Sequence, residues 1–137
     1  MNKKKPDVSI IKSYLSNYVL LSLYLSFLLY LLVYANELVI FIYPIVSLVY
    51  GWKTKNVTGS VLIGMLPITF LFLDLHMANL ENYTPERFDY VIAYFAKLII
   101  LGGINGYLAA KLPKQYFILL LIIGTFVWYA LFMSGID

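Results

Sequence analysis

Cysteine is absent from the chain. Disulfides, thiolate metal sites and cysteine nucleophiles are excluded with it, while the redox compartment is left open. A single histidine and a total of 7 aspartates and glutamates supply no conventional all-protein zinc ligand set. Charge is scarce as well. Only 12% of the residues are charged, against roughly 25% in a soluble domain. That leaves too little polar surface to coat a water-soluble globule, so lipid is the expected solvent. No phosphate-binding glycine loop, nucleophile elbow or paired-histidine zinc motif occurs. The run "GGING" lacks the preceding strand and following acidic residue of a dinucleotide site. No basic stripe crosses a polar surface, which removes nucleic acid as a partner, and no residue pattern implies a cofactor.

What the chain has in abundance is apolar length: 62% of it is hydrophobic, and the excess falls in runs. A membrane span needs about 20 mainly apolar residues, at 1.5 Å rise each across about 30 Å of hydrocarbon. Five segments are expected to cross: Tyr14–Tyr34, Leu38–Trp52, Thr58–Leu75, Asp89–Ala110 and Gln115–Ser134. The second is short and carries Pro44 in its middle, so a re-entrant loop competes with a tilted crossing. Charge favours the crossing. Lys3, Lys4, Lys5 and Lys12 precede the first segment, Lys53 and Lys55 follow the second, and Lys111 and Lys114 follow the fourth. Five crossings with a cytoplasmic N-terminus place all of these inside, as the positive-inside rule requires. Glu37, Asp74, Glu81, Glu86, Asp89 and Asp137 then lie outside with Arg87, and the C-terminus is external. The basic start and the first apolar run resemble a signal peptide. The run is too long for a cleaved one, so a retained span is expected.

Only helices or closed barrels satisfy backbone groups in lipid, and no period-2 alternation supports a barrel. The expected fold is an all-α integral membrane protein, one domain over residues 1–137, built as a five-span bundle. Helices in lipid associate through close backbone approach and polar contacts. Gly102, Gly106 and Ala110 recur at four-residue steps, as do Ser22 and Ser26, Ser60 and Gly64, and Ala130 and Ser134. These stripes serve internal packing, or alternatively a dimer face. Pro44 and Pro67 bend their helices and open a cavity between spans 2 and 3, unless they are ordinary membrane-helix prolines. Trp52, Tyr34, Tyr116 and Tyr14 fall near span boundaries as interface anchors.

One residue conflicts with this pattern. Lys97 lies about 12 Å inside the fourth span if that span starts at Asp89. A lysine stem reaches roughly 6 Å outward, which leaves the ammonium short of water. Unpaired, it costs at least about 2.5 to 3.5 kcal/mol on insertion scales. Asp74, near the outer end of the antiparallel third span, is the expected partner, with Glu37 the second choice. His76 and Asn79 follow Asp74, and Tyr90 and Tyr94 share the Lys97 face of the helix. Two roles remain open: a registry pair between two helices, or an anchor for an anionic group entering from outside. Asn105 is expected to hydrogen-bond across to another helix, with a coordinating role as the alternative. The "NVT" and "NYT" sequons are short, and only the second falls outside in this topology.

The functional expectation is a non-enzymatic multi-pass protein of a bacterial or archaeal plasma membrane. It binds or passes a small anionic or zwitterionic solute through an outer corner of Lys97, Asp74, Tyr90, Tyr94 and His76. The alternative is a membrane subunit or assembly factor, or a homo-oligomer, docking partner helices on its small-residue faces. An acid–base pair of Asp74 and His76 would open a third, enzymatic reading, but no nucleophile accompanies it.

Overall fold

The structure, a computed structural model, describes residues 8–77 and 80–135. Lys3 to Lys5, Asn79 and Asp137 lie outside the described residues, as do the side chains of Lys12, Tyr14 and Glu37. The described residues form five α-helices and short 3-10 turns, with no strand among them. The helices are α1 (Val8–Ala35), α2 (Tyr43–Thr54), α3 (Val57–Met77), α4 (Pro85–Lys111) and α5 (Phe117–Met133). Four stretches are long and apolar enough to cross a membrane: Asn17–Ala35, Val57–Met77, Pro85–Lys111 and Lys114–Met133. With 12 residues, α2 is not among them.

Capping chemistry sets the boundaries that apolar content leaves blurred. The fourth helix starts before Asp89. Thr84 accepts the Arg87 N–H, Pro85 takes the first turn, and Glu86 faces the positive end of the helix dipole. Between α1 and α2 the Asn36 side chain accepts the Leu38 N–H at 3.0 Å and caps a 3-10 turn, Glu37–Phe41. Backbone bonds from Ile42 to Val39 and from Ile45 to Ile42 carry this turn into α2. Pro44 therefore stands in the first turn of α2, where its missing N–H breaks no helical bond. The expected mid-span kink is a helix start. At the other end Lys55 closes α2 in the left-handed region, with φ 54°, and returns its N–H to the Gly51 carbonyl.

Side-chain pairs give the direction of every helix. Ser47 lies against Ser60 and Tyr43 against Gly64, so α2 and α3 are antiparallel. Gly64 meets Gly102 and Ser60 meets Gly106, which makes α4 antiparallel to α3. Asn105 pairs with Gly124 and Tyr94 with Phe132, which reverses α5 again. Ser26 approaches Leu62 and Tyr30 packs on Phe70, so α1 runs parallel to α3. Consequently α1, α3 and α5 point one way, and α2 and α4 the other. One end of the bundle gathers Lys53, Lys55, Lys111 and Lys114; the opposite end carries Asp74, Glu81, Glu86 and Asp89.

The small-residue stripes lie between helices. A Cβ on Gly102 would collide with the Gly64 carbonyl, one on Gly64 with that of Gly102, and one on Gly106 with that of Ser60. Here α3 and α4 touch backbone to backbone, an approach that only small residues permit. Into their groove settles α2, its Gly51 lying against Ser60, Ala109 and Ala110. Ser22 and Ser26 are buried on α1; Ser26 bonds the Ser22 carbonyl at 2.7 Å and leans toward the Leu62 carbonyl at 3.5 Å. On α5 the pattern differs. Ala130 and Ser134 stay exposed, and contact with α4 is made through Gly124.

The most enclosed helix is the shortest. Tyr43 and Leu48 of α2 have no exposed surface, and Pro44, Ser47, Tyr50 and Gly51 are buried with them. Together with the 3-10 turn that leads into it, α2 reaches both ends of α5. Phe41 packs on Tyr129 and Phe132 near the end of α5, while Trp52 stacks on Phe117 at its start, 4.6 Å between centroids.

Candidate functional site

Where the central element narrows from α-helix to 3-10 turn, the surrounding helices are left with space between them. A cavity of about 560 Å³ occupies it, bounded by α1, the 3-10 turn, α3, α4 and α5. Small-molecule sites span about 300–1,000 Å³, so the size suits a ligand. Its floor is Ile68 and Leu98, each 1% exposed, and Leu71 and Val33 line its sides. Tyr34 and Leu38, 66% and 68% exposed, form the rim with Leu75. This gradient places the mouth at the acidic end. From Leu75 down to Ile68 is two turns of α3, about 10 Å. A cavity does lie beside the start of α2 and the Pro67 region of α3, but the thin 3-10 turn above Pro44 makes the room for it.

The walls are almost wholly apolar. Tyr34 and Tyr94 alone bring hydroxyls, and that of Tyr94 is committed to the Phe132 carbonyl at 2.7 Å. Water needs two to four polar partners to settle in such a space. The chamber instead offers dispersion contacts to an apolar occupant. Behind Phe132, Trp128 stacks at 5.4 Å and 8° between planes, fully buried, with Tyr43 on its other side. Tyr43 donates its hydroxyl proton to the Gly64 carbonyl, and Tyr129 donates to that of Phe41, closing the wall between α5 and the 3-10 turn.

Of the expected corner, the structure brings together some members and separates others. Tyr94 is part of the chamber wall. His76 stands behind that wall: its ring packs on Phe95 at 5.1 Å and Phe72 at 5.3 Å, and its Nδ1 lies 2.7 Å from the Tyr83 hydroxyl. Arg87 covers the other side of Tyr83 at 5.8 Å, so this cluster fastens the segment after α3 to the start of α4. Asp74 turns elsewhere. It is exposed one helical turn past Phe70, on the α1 side of α3, within electrostatic reach of the Tyr30 hydroxyl. Residues two apart on a helix do not face each other, so Asp74 and His76 form no acid–base pair.

Lys97 is the main departure from expectation. It is exposed on α4, and no ion pair to Asp74 forms. Leu98, the next residue, is the one turned inward. Tyr90 shares the exposed side at 56%. The pairing fails for a geometric reason: sequence gives the phase of residues along one helix but not the rotation of that helix against its neighbour. Asn105 is buried and donates to the Gly124 carbonyl at 3.2 Å, a link between α4 and α5. Among the described residues no three carboxylates or imidazoles come together to hold a metal.

Sequence reading missed the chamber walls. Val33, Ile40, Phe41, Ile68, Leu71, Leu98 and Phe132 have nothing in their chemistry to set them apart from exposed apolar neighbours. The usable signal was indirect: an Asn36 cap eight residues before Pro44 marks a change of helix type. No protein-family model matches the chain, and no curated protein and no solved structure matches it.

Proposed function

We propose that the chain is a five-crossing membrane protein, N-terminus cytoplasmic and C-terminus external, which holds the apolar part of a small amphipathic molecule at its outer face. The graded chamber carries this reading: an exposed rim leading to a buried, apolar floor. The fifth crossing is supplied by the 3-10 turn and α2 together. Five residues at 2.0 Å and twelve at 1.5 Å give about 28 Å, close to the hydrocarbon thickness. Enclosure by other helices spares α2 the need for a full apolar surface toward lipid. The gathering of lysines at one end and carboxylates at the other supports the orientation. The separation of Lys97 from Asp74 and from the chamber moves the proposed ligand away from a simple anion. No catalytic step is proposed.

Native mass spectrometry of the purified protein tests the reading. The wild-type chain should retain a small-molecule adduct, and a folded Leu98→Phe variant, with its chamber filled, should lose it. A wild-type protein that carries no adduct, or a variant that keeps it, defeats the proposal. A second reading, a membrane subunit that docks a partner helix, is favoured by one observation: the strip of α4 with Tyr90, Lys97 and Ile104 is exposed. It predicts that Lys97→Leu abolishes comigration with the partner on native gels while leaving the adduct in place.

A further inference from the structure

We infer that the molecule held in the chamber is a single-chain amphiphile with a cationic, ammonium-type head. This rests on the proposed function and adds the chemistry of the head. An ammonium is stabilised by a carboxylate beside it and by the faces of aromatic rings. The mouth offers both on its α1 side. The Tyr34 ring stands exposed on the rim, 6.4 Å from Tyr30, and Asp74, exposed and next in the chain to the rim residue Leu75, lies on the same side within electrostatic reach of Tyr30. No lysine or arginine among the described residues pairs with Asp74, so its charge remains available. The surrounding end adds Glu81, Glu86 and Asp89 against Arg87, a field that attracts cations and repels anions. Below the rim the walls have no charge, which suits an alkyl chain and excludes a second polar group.

The two tryptophans make the test direct. In a Trp52→Phe chain, Trp128 is the only indole; it is fully buried and stacks on Phe132, which lines the chamber. Bulk amphiphile does not touch it, whereas a brominated chain inside the chamber quenches its fluorescence. The probes are ω-bromododecyl-trimethylammonium, ω-bromododecanoate and ω-bromododecanol, added to the full-length protein in nanodiscs. The ammonium probe should quench at roughly twofold to fivefold lower concentration than the carboxylate, the worth of one partly solvated ion pair. Asp74→Asn should abolish that difference and leave quenching by the alcohol unchanged. Equal potency of ammonium and carboxylate overturns the assignment of the head while leaving the chamber standing. Absence of quenching by all three, or quenching that persists when Leu71→Phe fills the chamber, overturns the chamber itself.

Discussion

At the scale of single residues, polar atoms inside the bundle are few and each has a definable worth. Asn105 donates to Gly124, and a Cβ added at Gly124 would come within 2.9 Å of the Asn105 Oδ1. Asn105→Leu should lower stability by about 0.6 to 1.7 kcal/mol, the range for hydrogen bonds between helices in lipid. Gly124→Ala should be more harmful in the wild type than in an Asn105→Ala background, a coupling that a double-mutant cycle read by thermal melts in detergent would reveal. Lys97 gives the opposite sign. Removing one partner of a buried ion pair costs about 3 to 5 kcal/mol, but Lys97 has no such partner, so Lys97→Met should melt at the same temperature or higher. A marked fall would mean that the ammonium is paired after all. Asn105 was legible in the sequence, because a lone amide deep in an apolar helix must find an acceptor. The surroundings of Lys97 were not, because they depend on which face Asp74 presents.

At the scale of elements, the α3–α4 contact and the cap on α4 dominate. The Gly64–Gly102 and Gly106–Ser60 approaches leave no room for a Cβ. Gly102→Val should separate the two helices and lower the melting temperature by the equivalent of about 1 to 3 kcal/mol or more, whereas the same change at exposed Ala130 should be nearly silent. Lys55 works across elements: its ammonium reaches the Leu112 carbonyl at 2.7 Å and that of Ala109 at 3.3 Å, placing a cation on the negative end of α4. Lys55→Met keeps the left-handed backbone and loses this clamp. Lys55→Gly also loses the clamp but relieves about 1 kcal/mol of backbone strain, so it should be the milder of the two in thermal unfolding. Helix number and the glycine stripe could be read from the sequence, since small residues at four-residue steps have few other uses in an apolar helix. Helix ends could be read only from caps. Thr84 and Asn36 moved two boundaries that counting apolar residues had placed elsewhere.

At the scale of the molecule, an odd number of crossings is the testable core of the proposed topology. Reporter tags on the two termini should appear on opposite sides of the membrane, and a Lys53→Cys chain should react with an impermeant thiol reagent only after permeabilisation. Tags on one side would return α2 to a re-entrant loop. The chamber belongs to this scale because no single element contains it; it arises where four helices meet around a thin turn, and so no local pattern announced it. The enclosure of α2 also bears on how the chain is made. A translocon releases segments into lipid by their own greasiness, and twelve helical residues with Lys53 and Lys55 at one end offer it little. In the five-crossing arrangement α2 must leave the ribosome tunnel and enter as the second arm of a hairpin with α1, then wait for α3 and α4 to wrap it. A chain truncated after Lys55 and released from the ribosome should therefore leave that lysine on the external side, and a chain extended through α4 should have it on the cytoplasmic side.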